Sequence, residues 1–561
     1  MKWRSVLLLA AIASHALAAE PIRISGTLVA GGIAFAPIIS RDGTRVVFTA
    51  DKEIRDTHEL YTVPLTGGSE PVKISGALIA GGNVQGSIVT HDSKRVVFSA
   101  IKEHAGVVEL YSAPLAGGAA PVRISHDLAP GESISTFQDW SITADDSRVF
   151  FATAKNNSQI TDVYSAAIAA SGNSVKVAGN VAPISMRLTG DGTRAILISD
   201  GELYSVPIGG SPLTKLSGTL VAGGSVTSAR VSPDGSTVVF TAVGELYRVS
   251  TSGNGAPVKI PNVPGVPYSV QFSPDGSQIV FLVEKSGTLI RELYSVAVVG
   301  SEPLRISNAL SAANDTVDVF LVLGDSATVV FRERNAGVRG VYSASISGGS
   351  IPRDLSGPLT AGGAVFSFSV NADNTRVVFV ADKERDDVLE LYSVLVTGAT
   401  APTKLSGKLV AGGIVAPGFV TITPDGRRVV FIANKDKVDS RELYSVAVDG
   451  SGPIRKHSGS LVAGGGVGLA VISPDGERVV FQADKNQPNV EELFETALSL
   501  ALDIDGDGTI DSLTDGILFL RWHFGLRGAA LIANAIGANA TRTTAAEIEA
   551  YMARLDAQPS P

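Results

Sequence analysis

Cysteine is absent from all 561 residues. That excludes disulfides, cysteine-ligated zinc and the lipidated cysteine that anchors a bacterial lipoprotein. Stability must come from packing, which a chain of this length with 44% hydrophobic residues can supply. A basic excess is also lacking. The formal net charge of −9 opposes the phosphate contacts that nucleic acid requires, so nucleic acid is not an expected partner. Long apolar runs are missing too. The most leader-like one, Val6 to Ala13, falls short of the roughly 20 residues needed to span a bilayer.

That run sits between basic Lys2 and Arg4 and the small-residue stretch Ala16-Leu17-Ala18. Basic, apolar and small-residue regions in that order form an export leader over residues 1–18, with cleavage after Ala18. The reading predicts a periplasmic or secreted protein with no membrane span once the leader is removed.

What the sequence does contain is repetition. PIRISGTLVAGG at 21–32 returns as PVKISGALIAGG at 71–82, and related starts follow at Pro121, Ser174, Pro212, Pro257, Pro303, Pro352, Pro402 and Pro453. Self-similarity at this spacing marks a propeller, solenoid or array. Each unit carries β-branched runs such as Arg45-Val46-Val47-Phe48, an ELYSV-type run and a PVKIS-type run, divided by turn residues. The turn reads SPDG at Ser232–Gly235, Ser273–Gly276 and Ser473–Gly476, and TPDG at Thr423–Gly426. Proline presets φ there, aspartate bonds the local backbone, and glycine accepts positive φ.

Aromatic residues are few but regularly placed. Tyr61, Tyr111, Tyr164, Tyr204, Tyr247, Tyr294, Tyr342, Tyr392, Tyr444 and Phe494 hold one position in ten successive units. That position predicts packing between blades, with each hydroxyl finding a local partner. The SPDG-x-x-VVF-x-A run followed by ELYSV resembles the repeat of the TolB-like propeller family across roughly residues 21–499. The resemblance implies an all-β fold, a β-propeller of about ten four-stranded blades over 19–499. One ring is the preferred arrangement and two smaller rings the alternative. The lone PIRIS strand at the start should complete the last blade, whose own such strand is missing after ELFETALSL.

Beyond residue 500 a small α-helical calcium-loop module is expected. Asp503, Asp505 and Asp507 occupy loop positions one, three and five, which supply oxygen ligands to calcium around a sharp turn. Thr509 would add its backbone carbonyl, and Asp511 would act directly or through water. Thr514 stands where the closing acid is usual, so Asp515, one residue later, is the candidate closing ligand. The apolar run Ile517-Leu518-Phe519-Leu520, continuing through Trp522 and Phe524, predicts a helix with a packing face. Thr544-Ala545-Ala546-Glu547 is a capping box for a second helix. Residues 502–525 resemble one half of a dockerin, which implies Ca2+ as cofactor; the second dockerin loop is absent, which leaves the docking partner open.

No catalytic residue stands out. The histidines are scattered, and no G-x-S-x-G elbow is present. The expected function is that of an exported, non-catalytic propeller binding a protein or polysaccharide of the cell envelope or exterior. The face carrying the SGTLVAGG segments and charged hairpins is its expected binding surface. The alternative is an extracellular polysaccharide-active hydrolase or lyase with its site at the propeller channel.

Overall fold

The computed structural model describes residues 20–134, 140–155, 161–172, 174–181, 183–498, 502–507, 510–537 and 540–557. The leader at 1–18 and Thr509 lie outside the described residues.

In the first blade, strands Ala34–Ile39, Arg45–Ala50, Glu59–Pro64 and Val72–Lys73 pair in that order, all antiparallel. The SPDG turn joins the first two strands of a blade by side-chain clamping. At residues 273–276, Ser273 Oγ donates to Asp275 Oδ1 at 2.5 Å and Ser277 N donates to the same oxygen at 3.0 Å. Gly276 takes φ of +73°, a conformation costly for any residue with a Cβ.

The second strand is apolar on both faces because both are covered. Val46 and Phe48 pack with Val480 and Leu493 of the last blade, while Val47 joins Val96 and Phe98 of the second. This alternation repeats around the molecule. Ten apolar clusters each join two successive blades, and one of them unites the last blade with Ile24, Ala34 and Phe48. The ten blades therefore form one closed ring. Closure uses the N-terminal strand as expected, since Ile22–Arg23 pairs antiparallel with Phe494 and Glu495.

The conserved ring position behaves as packing with a polar tether. Tyr61 stacks on Phe48 at 5.8 Å between centroids, and its hydroxyl donates to Glu59 Oε2 at 2.8 Å. Lys73 Nζ donates to the other oxygen of Glu59 at 2.8 Å. The same triangle recurs with Tyr111, Glu109 and Arg123. Burial of a carboxylate is tolerated because both oxygens are satisfied and a cation is adjacent.

The second, third, seventh and eighth blades carry HDSK, ADDS, GDSA and ADNT in place of SPDG, at 91–94, 144–147, 324–327 and 372–375. The second and eighth blades are regular four-stranded sheets. In the third, the first strand is divided into Glu132–Ile134 and Ser141–Ile142, both pairing with Arg148–Lys155. The sixth and seventh blades merge into one eight-stranded sheet through a bridge between Arg291 and Thr316.

The C-terminal module contains three helices, α1 (Asp515–His523), α2 (Ala529–Ile532) and α3 (Ala545–Ala557). Leu518, Leu531, Ile548 and Met552 form its core with Ile504 of the loop. Leu520 and Phe524 are exposed rather than part of the packing face. The capping box is present: Thr544 Oγ1 donates to Glu547 Oε2 at 2.9 Å, and Glu547 N donates back to Thr544 Oγ1 at 3.3 Å. Among the described residues, no helix is long and apolar enough to cross a membrane.

Candidate metal centre

Of the candidate ligands, the structure brings together Asp503, Asp505 and Asp507. One carboxylate oxygen from each lies within 4.8 Å of the others. Asp503 and Asp505 are buried and Asp507 half-buried. Gly506 turns the chain between them at φ of +74°.

Gly537, Thr541 and Arg542 close over this loop. Gly537 N donates to Asp505 Oδ2 at 2.7 Å, and the Asp505 carbonyl accepts from Thr541 N and Arg542 N at 3.0 and 2.8 Å. A Cβ on Gly537 would stand 2.7 Å from Asp507 Oδ2, so a larger residue there would push the Asp507 carboxylate aside. Arg542 Nε donates to the Ile504 carbonyl at 2.7 Å, and its Nη2 bonds the Asp503 carbonyl.

Asp515 and Asp511 hold the loop's backbone. Asp515 Oδ1 accepts from Ile504 N and Asp505 N at 2.5 and 3.2 Å, and Oδ2 accepts from Asp511 N at 3.0 Å. Asp511 Oδ1 accepts from Leu513 N and Thr514 N at 2.7 and 2.8 Å, which caps the approach to α1. Its carboxyl is correspondingly held below the usual range by those two amides.

The buried acids show the opposite shift. Asp503 is pushed up to about 7, chiefly by burial and then by the charge of Asp515. Burial likewise raises Asp505 and Asp515. Clustered carboxylates of this kind are stabilised in their charged form by a cation. An all-oxygen set suits a hard ion such as calcium rather than zinc. The trio fits calcium; in this geometry Asp511 and Asp515 act as scaffolding for it.

The loop lies against the SPDG-side face of the ninth and tenth blades, not the opposite face singled out as the expected binding surface. Asp425, Arg428, Glu477, Asp503, Asp507 and Arg542 line a shared cavity of ≈ 340 Å³. Arg542 Nη1 reaches Glu477 Oε1 at 3.7 Å.

The ninth blade differs from the first and second at this seat, and shares an arginine at one register with the seventh, Arg353. By strand register, Arg455 stands where the first and second blades have Val72 and Val122, and His457 follows where they have Ile74 and Ile124. In five other blades the arginine opening the second strand bonds a hydroxyl on the third. Arg45 Nε donates to Thr62 Oγ1 at 3.0 Å and Arg95 Nε to Ser112 Oγ at 2.8 Å. In the ninth blade Ser445 Oγ is instead bonded to His457 Nε2 at 2.7 Å, and the strongest charge acting on Arg428 is that of Asp503. Burial and the charges of Arg428 and Arg455 push His457 down to about 3. Reading the motifs of each unit overlooks these three residues; aligning the outer strands against one another exposes them.

A second acid group, Asp382, Asp386 and Asp387, occurs in a hairpin of the eighth blade. Asp382 Oδ1 there accepts from Ala364 N at 2.5 Å, a turn-stabilising contact.

No family model matches the chain, and no curated protein does. Among solved structures, a chain from a structural and mechanistic analysis of two prolyl endopeptidases overlays with a TM-score of 0.35 at 13% identity, over 64% of this chain and 55% of that one. The putative TolB from Agrobacterium tumefaciens overlays with a TM-score of 0.27 at 15% identity, over 51% of this chain and 94% of that one. This chain thus covers little more than half of the prolyl endopeptidase chain. Overlays this loose carry no weight, and the propeller stands on its strand pairing and inter-blade clusters.

Proposed function

We propose that this is an exported, non-catalytic propeller that binds a protein or polysaccharide of the cell envelope or exterior, and that its C-terminal module binds calcium. The observation carrying the proposal is the convergence of Asp503, Asp505 and Asp507, with Gly537 bonded to Asp505. For the partner, support comes from the hairpins between second and third strands, where Ile54, Leu289 and Val438 are exposed. Apolar side chains on loops held by a rigid scaffold are suited to binding.

Calcium titration calorimetry on the mature chain tests the metal reading. We expect a dissociation constant between about 1 µM and 1 mM, the span of sensor and extracellular calcium loops, and loss of binding when Asp503, Asp505 and Asp507 are changed to Ala. Absence of binding by the unaltered chain refutes it.

A further inference from the structure

We propose that Arg428 and Arg455 of the ninth blade act as built-in counter-ions for the calcium loop, so that calcium and the propeller face compete for the same carboxylates. The inference rests on the calcium reading and adds to it a role for the propeller: the ring both seats the module and sets how tightly the loop holds metal.

Three independent features of the seat support this. The cavity between loop and ring is walled by Asp503 and Asp507 on one side and Arg428 on the other, with Arg542 between them. Asp503 and Asp507 are the acids whose charges act on Arg455, and Asp503 is the foremost of those acting on Arg428. The ninth blade also departs from the repeat at His457, whereas the register of Arg455 is held by arginine, Arg353, in the seventh blade too. Arg455 replaces the valine of the first and second blades, and His457 replaces isoleucine and bonds the Ser445 hydroxyl that the repeat pattern would give to Arg428. The charges of Asp503 and Asp507 reach Arg455, and the blade's strand pairing is intact.

The sign follows from charge. Without metal, the acid trio attracts the guanidinium groups and the module is drawn onto the ring. A bound divalent cation removes most of that negative charge and places positive charge beside Arg428, Arg455 and Arg542. Docking then weakens. Because coupling between two binding events is reciprocal, the docked arginines must weaken calcium binding by the same factor. Other charges at the seat, Asp425 and Glu477, also act on Arg428 and would retain it on the ring after the module loosens.

The test compares the full mature chain with an Arg428→Gln, Arg455→Val double variant. The repeat already contains both replacements at these registers, Gln278 in the sixth blade and Val72 in the first, and an unchanged melting curve for the ring would verify folding. Calcium calorimetry should show the double variant binding at least about fivefold more tightly, the low end of ordinary coupling between sites. Arg455→Val alone should move in the same direction. Hydrogen exchange supplies a readout independent of affinity: on calcium addition to the unaltered chain, amides of turns 423–426 and 473–476 should exchange faster while those of 503–507 become protected. Equal affinities in chain and variants, with no change at the two turns, overturn the inference and leave the calcium reading standing. Absence of calcium heat from every protein overturns the calcium reading itself, and the inference with it.

Discussion

Replacing Ile24 by alanine tests whether the ring is closed in solution as firmly as it is built elsewhere. Ile24 is 1% exposed and packs among Ala34, Phe48, Val480 and Leu493. Its amide donates to the Leu493 carbonyl at 2.9 Å, and neighbouring Arg23 pairs with Glu492 at 2.8 Å. Removing the side chain beyond Cβ loses transfer free energy and leaves a cavity, together about 2–5 kcal/mol. Arg23 and Glu492 are 469 residues apart, against 14 for the equivalent Lys73 and Glu59. With free ends, that separation would cost about 3 kcal/mol more in loop entropy. The stacked blades remove the difference, because they already hold the last blade against the first. Ile24→Ala should therefore destabilise the ring as much as Ile306→Ala, the equivalent change in the sixth blade, where Ile306 is 2% exposed. Urea unfolding followed by circular dichroism measures both. If Ile306→Ala costs about 2 kcal/mol or more while Ile24→Ala costs under about 0.5 kcal/mol, the closing strand is frayed and the reasoning fails.

Two further consequences concern buried charge. Changing Arg123 to Met leaves the Glu109 carboxylate, which is 1% exposed, with the Tyr111 hydroxyl and His104, 3.5 Å away, as its neighbours. The loss should be about 2–4 kcal/mol, at the lower part of the range for broken buried pairs because Arg123 is partly in water, and pairing it with Glu109→Gln should recover part of that loss in the same urea assay. His457 gives a pH dependence. Its pKa is about 3 in the folded chain against 6.5 for the free side chain, so the unfolded state takes up the proton first. Stability that is complete above pH 6.5 should erode toward pH 3 by up to about 1.4 kcal/mol per unit. His457→Ile, the residue of the first and second blades, should flatten that slope in pH-dependent melting, and an unaltered slope would remove His457 as its source.

The architecture was legible because propeller blades write themselves into sequence locally. The SPDG turns, the β-branched second strands and the recurring Tyr each reflect contacts made within one blade or with the next, and repetition amplifies them. The closing strand was legible from a missing segment at the far end. The acid cluster was legible only in part. Asp503, Asp505 and Asp507 follow from spacing, but the engagement of Asp511 and Asp515 with backbone amides depends on how the chain enters α1, which spacing does not specify. The seat was missed because its residues deviate from the repeat, and motif reading attends to agreement. Choosing the hairpin face for its long charged loops likewise passed over the opposite face, where the module rests.

Those deviations answer a problem that repetition creates. Ten similar blades offer ten similar third strands, and the N-terminal strand Ile22–Arg23 matches the pairing pattern of any of them. The ambiguity is removed by occupancy. In nine blades the outer edge of the third strand is covered by a strand that follows it directly in the chain, as Val72–Lys73 follows Glu59–Pro64. Only Glu492–Ala497 has no such successor and pairs instead with the N-terminal strand. Glu495, which lies opposite Ile22, replaces the usual serine or threonine of the third strand and pairs through one oxygen with Arg478. The same logic explains the ninth blade. A module joined to the end of the tenth blade reaches the turns of its neighbour, where His457 alone among the ten blades replaces an apolar residue at its register.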